Sequence, residues 1–184
     1  TFKLFWIVDT IIISRLKIKK FSKEEFLTSY NFARNADLVF SEILTTEQFK
    51  KLNLKKENIT ILSQDPITTS YQVNSLNLKE NDVIFVNSFR IENLFFYLNK
   101  VNNLKNIKLI THQTDRKIDK KTFQKKPDCI SQWYSINVDY EHENLIPIPL
   151  GIANDYSPKN LLINNFVDYK ANGIDKELKL YINN

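Results

Sequence analysis

His112, Asp115 and Arg116 share one polar run, Thr111-His-Gln-Thr-Asp-Arg116, which follows directly on the apolar Ile107-Lys-Leu-Ile110. An imidazole and a carboxylate three residues apart can take up or hand over a proton, the carboxylate serving as the base or orienting the ring. The structural alternative is that Thr114 or Asp115 caps a following helix and His112 is a satisfied, half-buried ring. If 107–110 is a strand of a parallel sheet, its position favours chemistry, because ligands bind beyond the carboxyl ends of such strands.

Further on, Arg116, Lys117, Lys120, Lys121, Lys125 and Lys126 face only Asp119 over residues 116–126. A diphosphate or an anionic acceptor could dock there, although many such runs are solvated helix faces. Gln132-Trp-Tyr-Ser-Ile-Asn137 sets aromatic rings beside amides. Sugar recognition uses that pairing: ring faces take the C–H face of a pyranose, and amides take its hydroxyls. The competing reading closes the core with Trp133. In Leu145-Ile-Pro-Ile-Pro-Leu-Gly151, two prolines hold an extended backbone that Gly151 then releases. A rigid crossover into a cleft fits it, with Asn154, Asp155 and Tyr156 at the exit.

The elements that position these groups follow from spacing. Ser22-Lys-Glu-Glu25 and Thr45-Thr-Glu-Gln48 are capping boxes, predicting a helix through Phe26 and Tyr30 and another ending near Asn53. Strands are predicted at 37–41, 59–62, 82–86, 107–110, 129–130 and 145–148, with Asp65-Pro66 as a turn. Between 82–86 and 107–110, Ser88 can cap a helix in which Ile91, Leu94, Phe95 and Leu98 form one stripe. Pro147 and Pro149 send the last strand along an edge or out of the sheet. The order predicts an α/β, Rossmann-like layered domain with a mainly parallel sheet and right-handed crossovers.

The 184 residues are 42% hydrophobic and 26% charged, which excludes disorder and coiled coil and leaves ample core. The net charge of +5 is carried by 22 Lys against four Arg. Arg reads bases and phosphates bidentately, so nucleic acid is not an expected partner. Peripheral contact with an anionic membrane surface stays open. A single cysteine, Cys129, rules out a disulfide framework and a Cys-based zinc site. His112 and His142 lie far apart with no carboxylate pattern of metal ligands, so no metal is expected. With two glycines there is no Walker A loop and no GxGxxG, and neither GxSxG nor HExxH occurs. The apolar run Leu4–Ile13 contains Asp9 and is too short to span a bilayer. The chain has no Met and ends on a strand-like alternation, Glu177-Leu-Lys-Leu-Tyr-Ile182, so we expect a piece of a longer protein.

The ordered set Leu109-Ile-Thr-His-Gln-Thr-Asp115, Ile130-Ser-Gln-Trp-Tyr-Ser-Ile-Asn137 and Leu145-Ile-Pro-Ile-Pro-Leu-Gly-Ile-Ala-Asn154 resembles bacterial exostosin-like sugar transferases of capsule and lipooligosaccharide clusters. The likeness covers about residues 30–165. It implies one lobe of a GT-B glycosyltransferase: residues 1–150 as the N-terminal, acceptor-side Rossmann-like lobe, and 151–184 as a crossover into a lobe largely absent. By the same resemblance, His112 and Asp115 are the acceptor-side base or its orienter and Asn137 a cleft contact. Arg116, Trp133, Gly151 and Asn154 complete the expected substrate contacts. The partners implied are a nucleotide-sugar donor, as substrate rather than cofactor, and a glycan acceptor. The place is the cytoplasm, at the inner face of the plasma membrane. Without its second lobe the chain would be inactive. The rival expectation is a non-catalytic Rossmann-like domain that binds a glycan or a protein.

Overall fold

The computed structural model describes residues 27–151. Thr28 starts α1 (Ser29–Arg34) by accepting the Asn31 amide at its hydroxyl, while the Ser22 capping box lies outside the described residues. β1 (Leu38–Thr45) follows and runs four residues further than its apolar start predicts. Thr45 and Gln48 cap each other reciprocally and open α2 (Thr46–Lys51), as their spacing requires. β2 (Ile59–Gln64) and β3 (Thr68–Val73) then form an antiparallel hairpin. Its turn is held by the Asp65 carboxylate, which accepts the amides of Ile67 and Thr68. The sequence reading contained no β3, whose Thr68-Thr-Ser-Tyr-Gln-Val73 lacks an apolar run.

The middle of the chain is the predicted βαβ unit. β4 (Val83–Asn87) is apolar at four successive positions because both of its faces are covered. A 3-10 turn (Ser88–Arg90) leads into α3 (Ile91–Leu98), whose stripe of Ile91, Leu94, Phe95 and Leu98 is buried. Burial of each such side chain contributes roughly 1.5–3 kcal/mol. Ser88 is not the cap: Asn87 accepts the Phe89 amide, and the Ser88 hydroxyl donates to the His112 carbonyl at 3.0 Å. β5 (Ile107–His112) completes the unit. Next come β6 (Ile118–Asp119), α4 (Lys120–Phe123), β7 (Ile130–Ser135), β8 (Val138–Asp139) and β9 (Leu145–Pro147).

Strand order in the main sheet is β2-β3-β1-β4-β5-β7-β9, and β6 pairs with β8 in a small second sheet. The strands β1, β4, β5, β7 and β9 run parallel to one another, and β3 pairs antiparallel with both β1 and β2. A layered, mainly parallel α/β fold is therefore what the residues form. β9 lies at the edge, where Pro147 costs no ladder bond. One face of the sheet packs Ile84, Leu109 and Trp133 under α3. The other packs Phe85 and Ile110 under Ala33 of α1. Five asparagines (53, 81, 103, 106 and 137) take left-handed backbone in a chain nearly without glycine; Gln113 is the one other residue besides Gly151 that does so among the described residues. No helix among them is long and apolar enough to cross a membrane.

Candidate functional site

The parallel strands deliver their carboxyl ends to one rim, where the segments after β4, β5 and β7 are tied together. The Ser88 hydroxyl donates to the His112 carbonyl. Arg116 Nη1 reaches the Ser88 carbonyl at 3.4 Å, and Asn137 Nδ2 donates to the Thr114 carbonyl at 3.3 Å. β5 runs two residues further than expected and takes in Thr111 and His112, so that only Gln113–Arg116 of the polar run lie beyond the end of this central parallel strand.

His112 is 2% exposed, with its ring 5.5 Å from that of Phe32. Its Nδ1 accepts the Gln113 amide at 2.8 Å, which leaves the proton on Nε2 to donate to the Leu150 carbonyl at 3.1 Å. Burial pulls the imidazole down to about 4, although the bond to Leu150 favours the cation, so the ring is neutral near pH 7. Both nitrogens are used within the chain, and no hydrogen bond joins His112 to Asp115. In this arrangement His112 ties strand β5 to the segment after β9 and offers no lone pair to a substrate.

Asp115 is exposed and has no side-chain hydrogen bond among the described residues. It lines an open cleft of about 210 Å³ with Lys117, Asn137, Val138 and Asp139. Lys117 pairs with Asp139 at 3.2 Å across this cleft. Asn137 stands in left-handed backbone at φ 54°, which turns the chain sharply out of β7 and brings its amide to the Thr114 carbonyl. Asp115 and Asn137, which the sequence reading named separately, line the same cleft. Arg116 is not free: it forms a bidentate pair with Glu92 that holds the carboxyl below its ordinary range and the guanidinium above.

Trp133 is a correction. β7 includes Gln132–Ser135, so the pleat turns the indole inward instead of leaving it in a loop after the strand. It is fully buried, stacked on Phe123 and edge-on to Phe95, and its Nε1 donates to Thr111 Oγ1 at 2.9 Å. Neither ring face is open to a sugar, so Trp133 belongs to the core. Gly151 has φ +77°, and a Cβ there would lie 2.3 Å from the Leu27 carbonyl oxygen. Its backbone form and close approach fix its identity. Asn154 lies outside the described residues. Of the basic run, Lys120, Lys121 and Lys125 are solvated, while Lys126 donates to the Ile130 carbonyl. Cys129 is half-buried, and burial pushes its thiol up. No group of three His, Cys, Asp or Glu among the described residues could hold a metal.

Two features had no place in the sequence reading. Gln113 clamps Ile43 of β1 through its side-chain amide. Glu42, fully buried on β1, pairs with Arg34 and accepts from the Tyr71 hydroxyl at 3.4 Å, while its Oε1 has no hydrogen-bond partner among the described residues. A glutamate inside Leu38-Val-Phe-Ser-Glu-Ile-Leu-Thr45 is a visible signal, since a charge in a buried strand needs a partner. No protein-family model matches this chain, and no curated protein matches it either.

Proposed function

We propose that this chain is the acceptor-side lobe of a glycosyltransferase that moves a sugar from a nucleotide-sugar to a surface-polysaccharide or lipooligosaccharide acceptor. The observation that carries the reading is Asp115: a solvent-facing carboxylate without a side-chain partner among the described residues, beyond the carboxyl end of β5, in a cleft shared with Asn137. Asp115 takes the proton of an acceptor hydroxyl, whose oxygen forms a bond to the anomeric carbon. The bond from that carbon to the diphosphate oxygen breaks, and the nucleoside diphosphate leaves with the electron pair. Donors for that leaving charge belong to the partner lobe, because Arg116 is held on Glu92. His112 contributes position, not proton transfer. The protein would work in the cytoplasm, at the inner face of the plasma membrane.

The test uses the longest available form of the protein with a panel of nucleotide-sugars and lipooligosaccharide acceptors. Transfer that Asp115→Asn lowers by a factor of about 100 or more, within the range of general-base catalysis, supports the assignment. Transfer untouched by Asp115→Asn removes it. A second reading, a glycan-binding lobe without catalysis, is favoured by the sealed His112 ring. It wins if acceptor glycans bind while no nucleotide-sugar is consumed.

A further inference from the structure

Two phenylalanines, Phe89 and Phe96, are 68% and 58% exposed. Phe89 stands in the 3-10 turn ahead of α3, and Phe96 lies within the helix. At helical spacing both point away from the buried stripe of Ile91, Leu94, Phe95 and Leu98, and Lys100 falls on the same outer side. The Lys100 ammonium lies 3.7 Å from the centre of the Phe96 ring. Rings left in water cost solvation free energy that folding does not recover, and apolar groups gathered on one outer face mark a contact surface.

α4 covers the same face of the sheet. Phe95 of α3 is edge-on to the Trp133 indole, and Phe123 of α4 is stacked on it. With Phe123 turned inward, Lys120, Lys121 and Lys125 are exposed. On α4 and the turn after it these three lysines face one carboxylate, Asp119, which caps the helix at the Thr122 amide. Arg116 and, more weakly, the charge of Lys125 hold the Glu92 carboxyl below its ordinary range, which places Lys125 within reach of α3. Glu92, the acid of α3, is neutralised from within the chain by its bidentate pair with Arg116. This side of the molecule therefore joins two exposed rings to a positive charge.

We propose that the face covered by α3 and α4 docks on an anionic lipid bilayer, with Phe89 and Phe96 entering the headgroup boundary and Lys100, Lys120, Lys121 and Lys125 meeting lipid phosphates. A phenylalanine ring carries no hydrogen-bonding group, so it loses nothing to desolvation at that boundary. The Lys100 stem can lie along the Phe96 ring and keep its ammonium among the headgroups. The solvated cations are lysines, point charges that suit a diffuse anionic surface. Arg116, whose fork could grip a phosphate or a base bidentately, is held on Glu92. The contact is peripheral: the rings rest in the boundary and no helix among the described residues crosses it. This rests on the membrane placement in the reading above and names the surface that makes it.

The experiment sediments the 184-residue chain with vesicles of phosphatidylcholine alone and of phosphatidylcholine with about one-third phosphatidylglycerol. The anionic vesicles should carry the chain down, and added salt should release it, because exposed charges are screened. Phe89→Ala and Phe96→Ala should each weaken partitioning about tenfold, and Lys120→Gln, Lys121→Gln and Lys125→Gln together about 100-fold. All five side chains are exposed, so the melting temperature should hold and a loss of binding is not a loss of fold. Anionic vesicles that leave the chain in solution overturn the proposal. So does binding that the Phe and Lys variants both retain, since the contact then belongs to another part of the chain. Tighter binding of a single-stranded oligonucleotide than of the vesicles would make this a nucleic-acid surface and equally overturn it. None of these measurements needs transfer activity, so Asp115→Asn still decides the reaction separately.

Discussion

The side-chain amide of Gln113 makes both of the hydrogen bonds that a neighbouring strand would offer Ile43: Oε1 accepts the Ile43 amide and Nε2 donates to the Ile43 carbonyl, each at 2.8 Å. β4 has already turned away there, so one side chain from after β5 stands in for a missing stretch of ladder. Two further contacts, Asn87 to Gln113 and Gln113 to Ser29, connect that clamp to α1 and β4.

Gln113→Ala should therefore cost roughly 2 kcal/mol, because a half-buried amide and carbonyl lose their partners together. Urea unfolding with an unchanged m-value checks it. Gln113→Glu keeps the acceptor for the Ile43 amide but sets a carboxylate against the Ile43 carbonyl, and should lose at least as much.

Glu42 gives a pH dependence. Burial, outweighing Arg34, pushes its carboxyl from 4.5 up to about 7. A carboxyl that is harder to ionise when folded contributes stability below its unfolded value and loses it as pH rises through the folded one. The loss, on the order of 3 kcal/mol at most, should fall between about pH 4.5 and 7. Glu42→Gln keeps the shape and should flatten that part of the stability curve. A difference curve between the two proteins that is level across this window would refute the assignment.

His112 acts in the opposite sense. Its ring is pulled from 6.5 to about 4, so it supports the fold above about pH 6.5 and withdraws that support as pH falls through about 4. His112→Gln should remove this acid-side loss from melts recorded between pH 7 and 4. It should also speed cleavage near Leu150 under mild proteolysis, since the Nε2 bond to the Leu150 carbonyl is gone.

At Gly151 any side chain meets the Leu27 carbonyl and a left-handed φ at once. Gly151→Ala should cost about 1–3 kcal/mol and raise hydrogen exchange around residues 27–30, where the displaced carbonyl lies. Exchange identical to the parent protein would show that the close approach is not maintained in solution.

Much of the fold was legible because its signals are local. The capping box at Thr45 and the stripe from Ile91 to Leu98 need only helix geometry, and Val83–Val86 needs only a run of apolar residues. β3 was illegible since its polar side chains carry no pattern until β1 and β2 flank it. At the site, the position of Asp115 and Asn137 could be read from strand order. What Trp133 faces could not, because a shift of the strand boundary by a few residues decides whether an indole meets solvent or core. Gln113 was invisible for a related reason: its partner Ile43 is seventy residues away.

The strand order β1-β4-β5-β7-β9 has a consequence for synthesis. From β1 to β9 each parallel strand is laid down beside the parallel strand made before it, always on the same side, so this part of the sheet never waits for a later segment to fill a gap. A chain emerging from the ribosome can add one strand after another onto an existing template, its growing edge always the most recently made. Such vectorial growth leaves the unfinished edge open for only as long as the next crossover takes to be translated.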